Sequence, residues 1–326
     1  MSGGVDLSVV IPTYNGAKKI QNCLEALKKQ TTKLKFEIIV VDDGSIDGTQ
    51  ELLASHSNLI YVRQENAGPA AARNRGASIS GGRIILFTDD DCVPCPNWID
   101  EMVKCFYDPC VIGGKGAYLT KQLGLVAQFV QIEYEDKYDL MKKSRFIDFI
   151  DTYSAGFIRD VFLRFGGYDC SFTTACAEDV DLSFRMHASG EKMVFNPEAR
   201  VFHTHPSDLL SYMKKKYKFA YWRVLAIKKT PSKMIKDSHT PQYMKIGLMC
   251  PPLLIICCLS LIGTSKAIIP MLIIVTCFIL ISRSILVRAF NKSFKLGVAS
   301  IILIYLRSTA QFFGVSAGLL NFYKKW

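Results

Sequence analysis

The chain has 326 residues and a formal net charge of +11, and 49% of its residues are hydrophobic. That length suits one large domain and something more, and the hydrophobic share is a mixture of two classes. The first two thirds mix charge and apolar residues as a soluble domain does, and from about Ile246 the chain is mostly apolar. Much of the positive charge lies just before and between the apolar stretches, which favours anionic lipid headgroups over nucleic acid. With no zinc-finger spacing or paired aromatic sheet signature, no nucleic-acid partner is expected. The eleven cysteines form no small disulfide framework, which fits a reducing compartment. Cys92 and Cys95 make a C-x-x-C followed by Cys105 and Cys110, but this spacing matches no common zinc pattern. Met1 to Asp6 is short and polar and Leu7 to Ile11 is too short for a signal peptide, so the N-terminal part is expected in the cytoplasm.

Leu7 to Ile11 reads as a buried strand ended by Pro12, and Ala17 to Gln30 as a helix with Ile20, Leu24 and Leu27 on one face. Phe36 to Val41 is a second strand, Asp42 to Ser45 a turn, Asp47 to Ser55 a helix, and Leu59 to Val62 a third strand. Pro69 to Ser80 follows as a helix and Arg83 to Thr88 as a fourth strand. Strands alternating with helices indicate an α/β fold with a mostly parallel sheet covered on both faces. Ligands bind such sheets beyond the carboxyl ends of the strands. Three polar clusters sit there: Pro12 to Asn15, Asp42 to Ser45, and Asp89 to Asp91. Beyond Pro94 the pattern loosens. Ser154 to Ile158 reads as a strand, Gly166 to Asp169 as a turn, and Val180 to Ser189 as a helix opening with acidic residues that complement its dipole.

Ser207 to Lys229 alternates aromatics with lysines, a composition suited to a helix in the membrane interface. Apolar segments follow at about 246–265, 267–282 and 295–320, against the ~20 residues that a span needs. Pro251 and Pro252 permit a kink. Arg283, Arg288, Lys292 and Lys295 place the second connection in the cytoplasm by the positive-inside rule. The third segment then leaves the C-terminus outside unless it lies in the interface.

Adjacent carboxylates repel unless a cation neutralises them, so Asp89-Asp90-Asp91 after an apolar strand suggests a Mn²⁺ or Mg²⁺ site sharing substrate phosphates. Such an ion assists a diphosphate leaving group. Glu178, Asp179 and Asp181 form a second acidic group that either supplies a general base or caps a helix. His203 and His205 follow Phe202; either can ligate a metal through neutral imidazole or serve packing alone.

Five runs together resemble family 2 glycosyltransferases: Val9 to Asn15, Val41 to Thr49, Asn66 to Asn74, Phe87 to Asp91, and Glu178 to Leu182. They occur in the family's order over roughly residues 6 to 206. The resemblance implies a GT-A fold, an inverting mechanism and a nucleotide-sugar donor (UDP-, GDP- or dTDP-linked). Pro12 and Thr13 would line the nucleotide pocket, Asp43 would accept from the base ring, and Arg73 would lie on the nucleotide side. Asp91 would bind the metal, with Asp89 on the metal or ribose and His203 nearby, His205 being the alternative. Asp179 would be the catalytic base and Glu178 would contact the acceptor. The Q-x-x-R-W motif of processive synthases is missing; Tyr221-Trp222-Arg223 stands without a matching glutamine, which points to single addition.

The expected organisation is a catalytic domain over 1–206, an interfacial helix and linker over 207–240, and a membrane region with about three hydrophobic helices over 241–326. The expected function is transfer of one sugar to a hydroxyl, on a lipid-linked glycan or glycolipid of the cell envelope. Two rivals stand beside it. A polyprenyl-phosphate glycosyl synthase has a phosphate acceptor that needs no base; a non-catalytic membrane scaffold would not be expected to keep every costly carboxylate.

Overall fold

The computed structural model describes residues 5–172, 177–234, 237–238 and 240–323; the first four positions of the polar leader lie outside them. The chain divides into two compact units, one of Met1–Lys121 with Met141–Thr204, the other of Gln122–Leu140 with His205–Trp326.

The first unit is built on an eight-stranded sheet. Its strands are β1 (Leu7–Thr13), β2 (Phe36–Asp42), β3 (Ile60–Arg63), β4 (Ile84–Phe87), β5 (Cys92–Pro94), β6 (Val111–Leu119), β7 (Ala155–Ile158) and β8 (Lys192–His203), in the order β3-β2-β1-β4-β7-β6-β8-β5. The first four pair in parallel, as the alternating pattern indicates. The other half is mixed: β7 runs antiparallel to β4 and β6, β8 parallel to β6, and β5 antiparallel to β8. Val9, Val10, Ile11, Ile39, Val40, Ile85, Leu86 and Phe87 are fully buried, so the apolar runs of three adjacent strands form the centre of the core. Pro12 does not end β1; the strand continues to Thr13, paired with Asp42, and so carries Pro12 and Thr13 to the rim of the sheet.

The helices of this unit are α1 (Ile20–Lys28), α2 (Thr49–Ala54), α3 (Pro69–Ile79) and α4 (Trp98–Lys104) before a long helix, α5 (Leu125–Met141), that runs through the second unit up to Leu140; α6 (Arg159–Arg164) and α7 (Glu178–Ala188) follow. Pro69 opens α3, where a missing N–H costs nothing.

The second unit gathers α5 with α8 (Leu209–Lys229), α9 (Gln242–Gly247), α10 (Cys250–Ser260), α11 (Ile268–Ile281), α12 (Arg283–Lys292) and α13 (Phe294–Tyr323). Phe129, Ile132, Tyr212, Ile285, Leu296 and Ile304 belong to its buried core. Pro251 and Pro252 occupy the first turn of α10. Among the described residues two helices are long and apolar enough to cross a membrane, Gln242–Ser260 and Phe294–Tyr323, with a third crossing if α11 and α12, bent by 65°, act as one span. The basic, aromatic helix read after Ser207 is α8. It buries Tyr212, Ala220, Val224 and Ala226 and lies against α13. Gly318 makes the approach close: a Cβ there would meet the Tyr221 carbonyl oxygen at 2.7 Å and Val224 Cγ2 at 2.9 Å.

Candidate active site

The three polar clusters meet at one rim of the sheet and are stitched together. Asn15 N–H donates to Ser45 Oγ (2.9 Å), Ile46 N–H to Asn15 Oδ1 (2.9 Å) and Gly16 N–H to Thr49 Oγ1 (3.0 Å). Thr13 Oγ1 donates to Asp90 Oδ2 at 2.7 Å, tying the end of β1 to the middle aspartate. Gly16 is required here, since a Cβ would collide with both partners of that bond. Burial pushes the Asp90 carboxyl up to about 6 against the Thr13 hydrogen bond, with Asp91 adding to the rise. The middle aspartate therefore holds the loop, while its neighbours point elsewhere.

Asp43 is buried, and its carboxylate accepts from Gln64 Nε2 (2.7 Å), Ala67 N–H (2.9 Å) and Gly68 N–H (2.8 Å). It shapes the turn that leads into α3. That helix places Arg73, only 3% exposed, between two acids. One guanidinium nitrogen donates to Asp89 Oδ1 at 2.7 Å and another to Glu178 Oε1 at 3.1 Å. Its neighbour Asn74 exchanges two hydrogen bonds with the backbone of Tyr168 (2.7 and 2.9 Å), whose ring lies 5.9 Å from the Arg73 guanidinium.

Glu178 and Asp179 open α7 and are both buried. Burial, then the charges of Glu178 and Asp151, push the Asp179 carboxyl well above the usual carboxylate range, against a hydrogen bond from Val180 N–H. A carboxylate with raised proton affinity is a competent base. Asp181 is turned away: it pairs with Arg185 at 2.8 Å, and Arg185 donates to the carbonyls of Phe165 and Gly167. Its role is to hold that turn.

On the other flank, antiparallel pairing sets Cys92 of β5 opposite His203 of β8. This brings Asp91 Oδ1 to 3.3 Å from His203 Nδ1, a separation that calls for a proton or a cation between them. A carboxylate and an imidazole suit Mn²⁺ or Mg²⁺ of the kind expected, so the donor set fits a divalent ion. Asp89, held by Arg73, is outside the group whose donor atoms lie within 4.8 Å of one another; that group is Asp91, Cys92 and His203. His205 is in the second unit, with Nε2 at 3.0 Å from Gln131 Oε1 and its ring stacked on Tyr134.

The supports of the site carry no motif in the sequence. Lys115, fully buried in β6, pairs with Asp151 and donates to Tyr153 Oη at 2.9 Å. Burial lowers its proton affinity, and Asp151 opposes that. The Tyr153 ring stacks on Tyr118, which stacks on His203 with centroids 4.6 Å apart. No local signal marks a lysine in a glycine-rich strand as buried.

Residues 8–163 match the model of the family described as Glycosyl transferase family 2. Glycosyltransferase AglE of Haloferax volcanii is 45% identical over 130 residues, covering 37% of this chain and 43% of its own. Validoxylamine A glucosyltransferase of Streptomyces hygroscopicus subsp. jinggangensis is 30% identical over 227 residues, 59% of this chain and 54% of that one. The chain thus spans about half the length of these curated relatives. The fold is shared with mannosyltransferase PcManGT from Pyrobaculum calidifontis, solved with GDP-Man and Mn²⁺, at a TM-score of 0.61 and 19% identity over 100% of this chain and 89% of that one.

Proposed function

From the match of residues 8–163 to glycosyl transferase family 2 we propose that the chain transfers one sugar from a nucleoside-diphosphate sugar to an acceptor hydroxyl with inversion. The observation that carries the reading is Arg73. One buried guanidinium holds Asp89 of the aspartate cluster and Glu178 of the acidic pair, so two carboxylate groups distant in the chain address one site.

In this reading Pro12, Thr13 and the Asp43 turn receive the nucleotide. Asp179 takes the proton of the acceptor hydroxyl, and Glu178, fixed by Arg73, orients the acceptor. The hydroxyl oxygen attacks the anomeric carbon opposite the leaving diphosphate, which inverts the centre. Asp91 and His203, with Asp89 alongside, would hold a Mn²⁺ or Mg²⁺ ion, which when bound neutralises charge growing on the diphosphate. The proposed acceptor is a glycan or glycolipid, lipid-linked and at the membrane. The apolar helices 241–326 and the basic helix after residue 207 support a multi-pass protein whose catalytic domain, within 1–206, faces the cytoplasm.

The test is a donor panel. One class among UDP-, GDP- and dTDP-sugars should raise the melting temperature in the presence of Mn²⁺. Asp91→Ala should remove that Mn²⁺-dependent shift and turnover while the protein stays folded. Full activity of Asp91→Ala, or of the unaltered protein in excess chelator, would remove the metal from the reading.

A further inference from the structure

Cys92 is the remaining donor beside Asp91 and His203. Its side chain is fully buried, and the β5–β8 pairing directs it toward the imidazole. Its sulfur lies 3.8 Å from His203 Nδ1 and 3.9 Å from Asp91 Oδ1, and those two atoms are 3.3 Å apart. Metal–ligand lengths of ~2.3 Å for sulfur and ~2.0–2.2 Å for nitrogen and oxygen give tetrahedral edges of roughly 3.4–3.6 Å. The three donors therefore outline one face of a zinc-sized tetrahedron to within a few tenths of an ångström. Three protein ligands with a fourth position open is also the arrangement of zinc sites that exchange water or substrate. Asp91 is 32% exposed, which leaves an entrance on the carboxylate side.

We propose that Asp91, Cys92 and His203 form a mixed oxygen, sulfur and nitrogen site that binds Zn²⁺ and similar thiophilic dications. The inference rests on the reading of Asp91 and His203 as metal ligands and adds Cys92 to them. Mn²⁺ and Mg²⁺ are served by the oxygen and nitrogen donors, whereas a thiolate selects zinc-type ions. As the metal–sulfur bond forms, the thiol proton leaves to solvent. Zn²⁺ stands above Mn²⁺ in affinity for such ligands, so zinc should displace manganese from Asp91 and His203.

The test uses Co²⁺ as an optical stand-in and the full chain in detergent. Cobalt should give a thiolate-to-metal charge-transfer band in the near ultraviolet, and Cys92→Ser should lose it. In the same variant Zn²⁺ affinity should fall by roughly 10–100-fold or more, with Mn²⁺ affinity much less affected. Because a serine in that buried place can disturb folding, zinc-edge X-ray absorption on the unaltered protein gives a second readout, expected to show one sulfur at ~2.3 Å. A shell of nitrogen and oxygen alone, or a band surviving in Cys92→Ser, overturns the inference. A thiolate band in a protein whose donor binding ignores Mn²⁺ would instead sink the metal-dependent function and leave the zinc site standing.

Discussion

In the proposed mechanism the two members of the acidic pair differ because only Glu178 is held by Arg73. Arg73 pairs with Glu178 and offsets only part of what raises Asp179, which is its burial and then the charges of Glu178 and Asp151. A base must be deprotonated to act, so turnover should fall as pH drops through the raised pKa of Asp179. The acid limb of the pH profile should therefore lie above the ~3.9 of an unperturbed aspartate. Asp179→Asn should lower turnover by ~10²–10⁴-fold and abolish that limb, with donor affinity retained. The amide keeps the acceptor for Val180 N–H and removes a repelled charge, so the melting temperature should not fall. Near-normal turnover in this variant would favour a phosphate acceptor, which needs no base; loss of donor binding as well would mean that Asp179 holds the donor. The residues of this site were legible because each cluster follows a short apolar strand or opens a helix. What was not legible was who meets whom. Nothing local tells that Asp90 faces Thr13, that Arg73 takes Asp89, or that Cys92 pairs with His203, because each contact depends on strand order and register.

At the level of elements, the parallel half of the sheet could be read because strands buried on both faces are continuous apolar runs. β6 and β8 escaped that rule. β6 is interrupted by Gly113, Gly114 and Gly116, and β8 carries Asn196, Pro197, Glu198 and Arg200, all poor strand signals. Helix α5 was hidden for another reason. Its Glu133, Glu135, Asp136 and Asp139 look like a solvated face, yet their partners lie far along the chain. Glu133 accepts from Tyr212 (3.2 Å) and Arg307 (2.9 Å) and pairs with Lys216 (2.8 Å). Asp136 accepts from Tyr243 and Ser284, and Asp139 pairs with Arg288. Burial pushes the Glu133 carboxyl up, but Lys216 and Arg307 prevail and hold it at about 2. A depressed folded value means that this group stabilises above its unfolded pKa of ~4.3, and that the contribution is lost as pH falls toward about 2. Glu133→Gln leaves two cations buried without their counter-charge and should cost about 3–5 kcal/mol. Thermal melts in detergent between neutral pH and pH 3 check both points: the variant should melt lower at neutral pH, and the gap should narrow on acidification. Equal melting curves at neutral pH would show that the network contributes nothing to stability.

For the molecule as a whole, if the helical unit meets a bilayer as proposed, the packing within it limits how much can enter. Residues 294–323 pass a span criterion on length and composition. Yet α13 runs alongside α8: Gly314 lies against Tyr217 and Ala220, Gly318 against Tyr221 and Val224, and the Phe322 carbonyl accepts from Lys228. α8 carries Lys214, Lys215, Lys216, Lys218, Arg223, Lys228 and Lys229, and each such residue near the bilayer centre costs ~2.5–3.5 kcal/mol. If α13 spanned, it would draw that row of charge into the hydrocarbon. The interface would accommodate both helices, with the exposed Tyr217 of α8 and Ile301, Ile302, Phe313 and Leu320 of α13 available to lipid. Helix α12 is held by the acids of α5 through Arg288 and Lys292, and those ion pairs would oppose its entry into hydrocarbon. What remains is a hairpin of Gln242–Ser260 and the 14 residues of α11. At 1.5 Å per residue α11 covers roughly 21 Å, short of a ~30 Å core, so a hairpin that crosses should thin the bilayer around it. The expectation is that α13 begins and ends on one side of the membrane. Asn291→Cys and Tyr323→Cys, each in a background without other exposed thiols, would be treated in sealed vesicles with an impermeant maleimide. Labelling of both from the same side supports an interfacial α13. Labelling from opposite sides would show that α13 crosses, and would require α8 either to separate from it or to enter the membrane with its lysines.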